Sequence, residues 1–342
     1  MNKLVNCGLE NRFGTNCLKW DGLKSRFGNE NLIAMWVADM DFKAPQPVID
    51  ALKERVNHGI FGYNIIPDSY YEAFINWEKE KHAYNVKKEW IRFSPGVVPA
   101  LFWFINILTN PGDSCIVMGP VYYPFHDAIK ENERKLIFNN LKNDNGIYTI
   151  DFEKFEEDII ENQVKLFILS SPHNPIGRVW TKEELKRVLD ICKANDVFVL
   201  ADEIHQDIII GDKKQIPAAT IGNYDDILVT LTAATKTFNL ASCQNSFVVI
   251  PNDEIREKFD KYYNSIGGDN GNVFGYIAVE AAYRYGEEWL KEVLDKIRGN
   301  YEYTKSILSN HLPHVVVSPL EGTYLAWYDF SYYIEEKDIK NF

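Results

Sequence analysis

Long apolar runs are missing from this chain, and their absence narrows what it can be. The most apolar stretch, Val97–Leu108, falls short of the roughly 20 residues that a membrane-crossing helix needs. The opening MNKLVNCGLENRFG has no apolar core of the kind that marks a signal peptide. Cysteine is scarce: Cys7, Cys17, Cys115, Cys192 and Cys243 lie far apart and make no CxxC pair or metal-ligand spacing. That pattern predicts reduced thiols in a cytoplasmic protein, and no metal site. Positive charge is in deficit, with 37 Lys and Arg against 49 Asp and Glu, net −12. Nucleic acid and anionic membrane are therefore not expected partners. There is no internal repeat and no low-complexity linker. Arginine stops at Arg298, and residues 299–342 contain none.

What is present is a substantial core. The 342 residues are 46% apolar and 14% aromatic, enough for one large domain and a smaller one. Residues 1–44 read as irregular, with turns at Asp21-Gly22 and Gly28-Asn29 and an acidic pair, Asp39 and Asp41. A helix follows, with prolines at its start and Gly59 as its stop. A capping box at Ser69-Tyr70-Tyr71-Glu72 predicts a second helix running to about Tyr84. From residue 91 the pattern becomes α/β. Apolar strands are predicted at Cys115–Met118, Lys165–Ser170, Val197–Ala201, Ile227–Leu231 and Ser246–Ile250, separated by amphipathic helices, as in a mainly parallel sheet. A further capping box, Thr181 to Glu184, opens one of those helices. Beyond Asn272 come two helices, the second long (about Glu287–Leu308), and strand candidates at His314–Val317 and Thr323–Tyr328.

Three motifs follow strands of that sheet. They are Ser171-Pro172-His173-Asn174-Pro175-Ile176-Gly177, then Asp202-Glu203-Ile204-His205, then Lys236 between Thr235 and Thr237. Each is about one βαβ unit from the next, so strand ends carry an amide, a carboxylate and an amine toward one crevice. Singly, each has an ordinary structural reading as a cap, a turn or a solvated lysine. Together they fit pyridoxal 5′-phosphate, a cofactor linked to a lysine amine with an acidic partner on its ring nitrogen. Lys236 is the expected attachment point, Asp202 the ring-nitrogen partner and Asn174 the donor to the ring's phenolic oxygen. Ser94-Pro95-Gly96-Val97-Val98-Pro99 leads into a helix, so the Val97 and Val98 amides are candidate phosphate donors, with the Thr235 hydroxyl opposite. Tyr122 follows a strand where it can stack on a flat ring.

These residues resemble the fold-type-I aminotransferases, and more narrowly the MalY/PatB branch of cystathionine β-lyases. The general likeness rests on Asn174-Pro175-Ile176-Gly177, Asp202 and Lys236 in its Thr-Lys-Thr-Phe-Asn context. The branch likeness rests on WVADMDF (Trp36–Phe42), HGIFGY (His58–Tyr63), DEIH (Asp202–His205) and KTFNLASCQ (Lys236–Gln244). The resemblance implies a homodimer in which Tyr63 reaches the cofactor phosphate of the neighbouring subunit. It puts His205 near the phenolic oxygen, Gln244 where relatives carry a phosphate-pairing arginine, and Ala233 where many carry serine. It implies an N-terminal arm (1–45), a large cofactor-binding domain (46–285) and a small C-terminal domain (286–342) that looks truncated, lacking the family's carboxylate-binding arginine. Another group, Arg12 or Arg26, would then have to hold the carboxylate, and the strands near Thr323–Tyr328 would be short of packing partners. The expected activity is β-elimination of L-cystathionine or cysteine S-conjugates, with Lys236, Asp202 and Tyr122 catalytic. An aminotransferase, or a cofactor-binding chain with little catalysis, shares the same residues.

Overall fold

The computed structural model describes residues 10–268 and 271–337; Cys7 and the last five positions of the expected C-terminal domain lie outside that range. Its centre is a seven-stranded sheet. In chain order the strands are β1 (Ile91–Ser94), β2 (Ser114–Gly119), β3 (Lys135–Asn140), β4 (Val164–Ser170), β5 (Phe198–Asp202), β6 (Leu228–Thr232) and β7 (Ser246–Val249). Across the sheet they run β1-β7-β6-β5-β4-β2-β3. Strands β3, β2, β4, β5 and β6 pair in parallel, and β7 pairs antiparallel with both its neighbours. Helices cover both faces, which is why β4 (VKLFILS) and β6 (LVTLT) are apolar with almost no alternation.

The helices begin and end where local chemistry requires. Helix α1 (Gln46–His58) has proline in its first turn and stops at Gly59, whose φ of 74° is left-handed and open to glycine without strain. Helix α2 spans Asp68–His82 and α3 spans Val97–Leu108. Helix α4 (Lys182–Ala194) is entered through the expected capping box, with both the Thr181 and the Glu184 bonds formed. Helices α5 (Val273–Tyr285) and α6 (Glu287–His311) follow Asn272, whose side chain caps α5. The other expected box does not form. Helix α2 starts at Asp68 behind Pro67, and the Ser69 hydroxyl bonds Glu280 on α5 at 3.0 Å instead of its own helix.

Strands β1 and β3 lie at the two edges of the sheet and carry polar residues among apolar ones, so the sequence pattern misses them. Helices at Phe152–Glu161 and Asp253–Ser265 also escape it. Near the C-terminus Val316–Val317 and Tyr328–Asp329 pair as a two-stranded ribbon, and Gly322 bridges Ile209. Between them the chain returns to the loop that leaves β5: Thr323 is fully buried and its N–H donates to the Ile208 carbonyl at 2.8 Å. The expected shortage of packing partners is not seen at this position. Among the described residues no helix is long and apolar enough to cross a membrane.

Aromatic stacking of Tyr70 and Phe74 on Phe247 joins α2 to the sheet. Phe74, fully buried, lies parallel to Phe247 of β7 with ring centroids 3.8 Å apart. Replacing a buried phenylalanine by alanine removes contact area and leaves a cavity. Phe74→Ala is expected to destabilise the protein by about 3–5 kcal/mol in urea denaturation. A loss under about 1 kcal/mol would mean the surrounding core can collapse into the gap.

Candidate active site

Strands β4, β5 and β6 end side by side, with Ser170 opposite Asp202 and Asp202 opposite Leu231. The residues that follow them open on a single crevice, as strand ends do in this class of sheet. It is a cavity of about 590 Å³ walled by the strand ends, the N-terminus of α3 and residues 36–38 and 325–327. Tyr122, Asn174, Asp202, His205, Thr235, Lys236, Val97 and Val98 all line it. Tyr63 does not. It stands fully exposed on the loop after α1, outside the cavity of its own chain.

Lys236 occupies a single helical turn, Ala234–Thr237, entered from the extended Ala233. Its Nζ donates to the carbonyl of Ala38 at 2.7 Å, and the Tyr324 hydroxyl donates to the same oxygen at 2.8 Å. Burial lowers the pKa of this amine, while Asp39 and Asp202 pull it the other way. Asp202 is buried as well. Burial pushes its carboxyl up to about 7, against the opposing pull of the Ile204 N–H at 3.1 Å and of Lys236. Burial, and then the charge of Lys236, bring His205 down to about 3, so it is neutral at ordinary pH. Among the described residues its Nδ1 has no partner, and its Nε2 lies 3.5 Å from the Asn174 amide, a weak contact. Tyr122 is pushed up to about 12, chiefly by burial, and stays protonated.

The first turn of α3 presents the Val97 and Val98 amides with no side-chain cap, so the positive end of a 12-residue helix meets the cavity. The opposite wall is made by the N-terminal segment. Asn239 latches it by donating to the Met40 and Phe42 carbonyls, both at 2.9 Å, and by accepting the Met40 N–H at 3.0 Å. Arg12 grips Asp39 at 2.6 Å and Asp41 at 2.8 Å, and Lys19 holds Asp41 at 2.9 Å. Arg12 is thus committed to these carboxylates in a neighbouring cavity and is no substitute clamp. Arg26 lies outside the site as well, and among the described residues no arginine lines it. Gln244, expected near the cofactor phosphate, lines a different cavity with Phe93 and Tyr263. Several lining groups escaped the sequence reading: the Ala38 carbonyl, Trp327, Leu325 and Ser246, whose buried hydroxyl has no partner among the described residues. Ser246 begins β7 and could have been found from strand-end logic; the carbonyl leaves no sequence signal.

Residues 30–338 match the family described as aminotransferase class I and II. The chain belongs to that family. It is 41% identical over 325 residues to cystathionine β-lyase PatB of Bacillus subtilis, covering 95% of this chain and 84% of that protein. It is 30% identical to protein MalY of Escherichia coli, over 93% of this chain and 82% of that one. The pyridoxal-phosphate-bound C–S lyase of Staphylococcus hominis has the same fold, with a TM-score of 0.93 at 36% identity, covering all of this chain and 86% of that one. The fold-type-I architecture and the MalY/PatB likeness read from the residues are both upheld. In an aminotransferase-family site, the raised Asp202 has a measurable consequence. A carboxyl whose folded pKa is raised contributes stability that is present below its unfolded value near 4 and lost as pH rises through about 7. In the cofactor-free chain, Asp202→Asn should therefore gain roughly 2 kcal/mol relative to wild type between pH 5 and pH 8. Urea denaturation at the two pH values measures this; a pH-independent difference would show that Asp202 ionises freely in the fold.

Proposed function

We propose that this chain is a pyridoxal-phosphate-dependent C–S β-lyase of the MalY/PatB type, acting on L-cystathionine or related cysteine S-conjugates. The observation that carries the reading is the desolvated Lys236 amine facing a buried Asp202 inside the cavity. The groups present fit the cofactor. Asp202 is a buried carboxylate with one backbone donor, suited to receive a cationic ring N–H. The unpartnered His205 Nδ1 and Ser246 Oγ offer polar contacts, and the uncapped start of α3 offers amides to a phosphate. Asn174 reaches the same cavity and Tyr122 walls it, as ring orientation and stacking need.

Bound pyridoxal phosphate supplies an electron sink for charge developing at the α-carbon of the amino acid. The chain's own residues do the rest. A lysine whose pKa is lowered by burial is more often neutral, so Lys236 Nζ can take the α-proton. Asp202 stays ionised opposite a cation. Neutral His205 adds no charge to compete with it. Trp36, Leu325 and Trp327 give the cavity apolar walls. Elimination breaks the Cβ–S bond and releases the thiol, and one water then hydrolyses the remaining enamine to pyruvate and ammonia.

The site is completed, on this reading, by a second copy of the chain. Ile60 and Phe61 are 65% and 60% exposed beside the fully exposed Tyr63, and Ile65 is 87% exposed. Such a contiguous apolar loop suits a protein partner, and a second subunit would let Tyr63 reach a neighbour's phosphate. Among the described residues Cys17, Cys115, Cys192 and Cys243 are free thiols, which supports a reducing, cytoplasmic setting.

Two experiments test these points. Incubation with cystathionine and no keto acid should yield pyruvate and free thiol in equal amounts, and Lys236→Ala should lower turnover by roughly 10²–10⁴-fold. Transfer of the amino group to an added keto acid, without thiol release, would establish an aminotransferase instead. Mixed dimers of Lys236→Ala and Tyr63→Phe subunits, each impaired alone, should regain activity because one intact site forms. Verified mixed dimers that stay inactive would contradict a shared site.

A further inference from the structure

We propose that Asp207 is a positioning residue for Lys236, acting through the hydroxyl of Thr237; this rests on the reading of Lys236 as the reactive amine. Thr237 follows Lys236 in the same helical turn and is fully buried. Its Oγ1 donates to Oδ2 of Asp207 at 2.8 Å. The other oxygen of that carboxylate, Oδ1, accepts Trp77 Nε1 at 2.9 Å and His82 Nε2 at 2.8 Å, both from α2. Asp207 itself lies on the loop that leaves β5 carrying His205, where the Ile208 N–H bonds the His205 carbonyl. One carboxylate thus ties together α2, the loop after Asp202 and the turn that bears the amine.

The charge on that carboxylate is protected. Burial alone would favour the neutral acid, but the bond and charge of His82, with Thr237 and Trp77, hold Asp207 below its ordinary value. Burial likewise opposes the charge on His82, yet Asp207, with Glu78 and Glu203 nearby, raises it to about 9. The other acids facing the pair, Glu78 and Glu203, are pushed by burial to about 7 and 8. They therefore carry part of the proton load near neutrality while the Asp207–His82 pair stays ionised. A buried ion pair whose acceptors are filled by directional donors has little freedom, and breaking one side leaves an uncompensated charge. The hydroxyl of Thr237 is the bond by which this rigid centre reaches the Lys236 turn. Among the described residues the amine itself is held by the Ala38 carbonyl, on the far side. A shift of the turn by a fraction of an ångström would move the amine relative to Asp202 and change both its solvation and its reach.

The test uses the full chain, stripped of cofactor, in wild-type, Thr237→Val, Thr237→Ser and Asp207→Asn forms. Each lysine is acetylated with trace acetic anhydride across a pH series and quantified by mass spectrometry, with exposed Lys53 as the internal standard. Thr237→Val should change the acetylation rate of Lys236 relative to Lys53 roughly tenfold, the size expected for losing one hydrogen bond to a charged group. Asp207→Asn should change it in the same direction, and Thr237→Ser should stay within about twofold of wild type. In the cofactor-loaded enzyme, the valine variant should lose kcat by a similar factor with KM little changed. Unchanged Lys236 labelling in a folded valine variant, or serine and valine behaving alike, would overturn the proposal. A valine variant that fails to fold would reduce the bond to a folding contact and overturn it equally. If labelling shifts as described but wild type releases no pyruvate, the lyase reading falls and the role of Asp207 stands.

Discussion

An amine buried at the end of a β-strand must find an acceptor or give up its proton, and the organisation of this molecule follows from how that need is met. The acceptor is the backbone carbonyl of Ala38, contributed by a segment almost two hundred positions away. To place that one oxygen, the N-terminal segment is fastened at three points. Arg12 and Lys19 clamp Asp39 and Asp41, Asn239 holds the backbone at residues 40 and 42, and Tyr324 shares the carbonyl from the C-terminal side. The site is thus closed by both ends of the described chain over a sheet built from its middle. The Arg12 fork on Asp39 and the sharing of Asp39 and Asp41 with Lys19 make a largely buried network, so it fixes the geometry of the segment more firmly than an isolated surface pair would.

The electrostatics of the cavity follow from the same burial. Desolvation raises Asp202, lowers Lys236 and neutralises His205, so the three groups nearest the centre are all displaced from their ordinary values in the direction of no charge. A site in that condition is poised to receive a group that carries its own cation and anion. The proposed cofactor does, with a ring nitrogen for Asp202 and a phosphate for the α3 amides. Strong perturbation in a cleft is a mark of function as well as a cost to folding.

The central strands and the strand-end trio were legible in the sequence because continuous apolar runs and fixed βαβ spacing leave few alternatives. Asn174, Asp202 and Lys236 needed only that logic. The two edge strands were not legible, since Ile91–Ser94 and Lys135–Asn140 mix polar residues into the pattern. Two identical-looking capping motifs had opposite outcomes: Thr181 caps its helix, whereas Pro67 sets the start of α2 and frees Ser69 to bond α5. Arg12 could not be judged from sequence, because its carboxylate partners are fixed only when residues 12 and 39–41 fold together. The Ala38 carbonyl and the Asp207 network escaped for a related reason. Backbone oxygens have no residue code, and a lone buried His82 or Trp77 reads as one more position on an amphipathic helix.

The most direct test of the account is the identity of the nucleophilic amine. Reduction of the cofactor-loaded protein with borohydride, followed by peptide mapping, reports which lysine carries the pyridoxyl group. The account predicts one stoichiometric modification, on the peptide containing Lys236. Modification of another lysine, or none in a protein that binds the cofactor tightly, would contradict it.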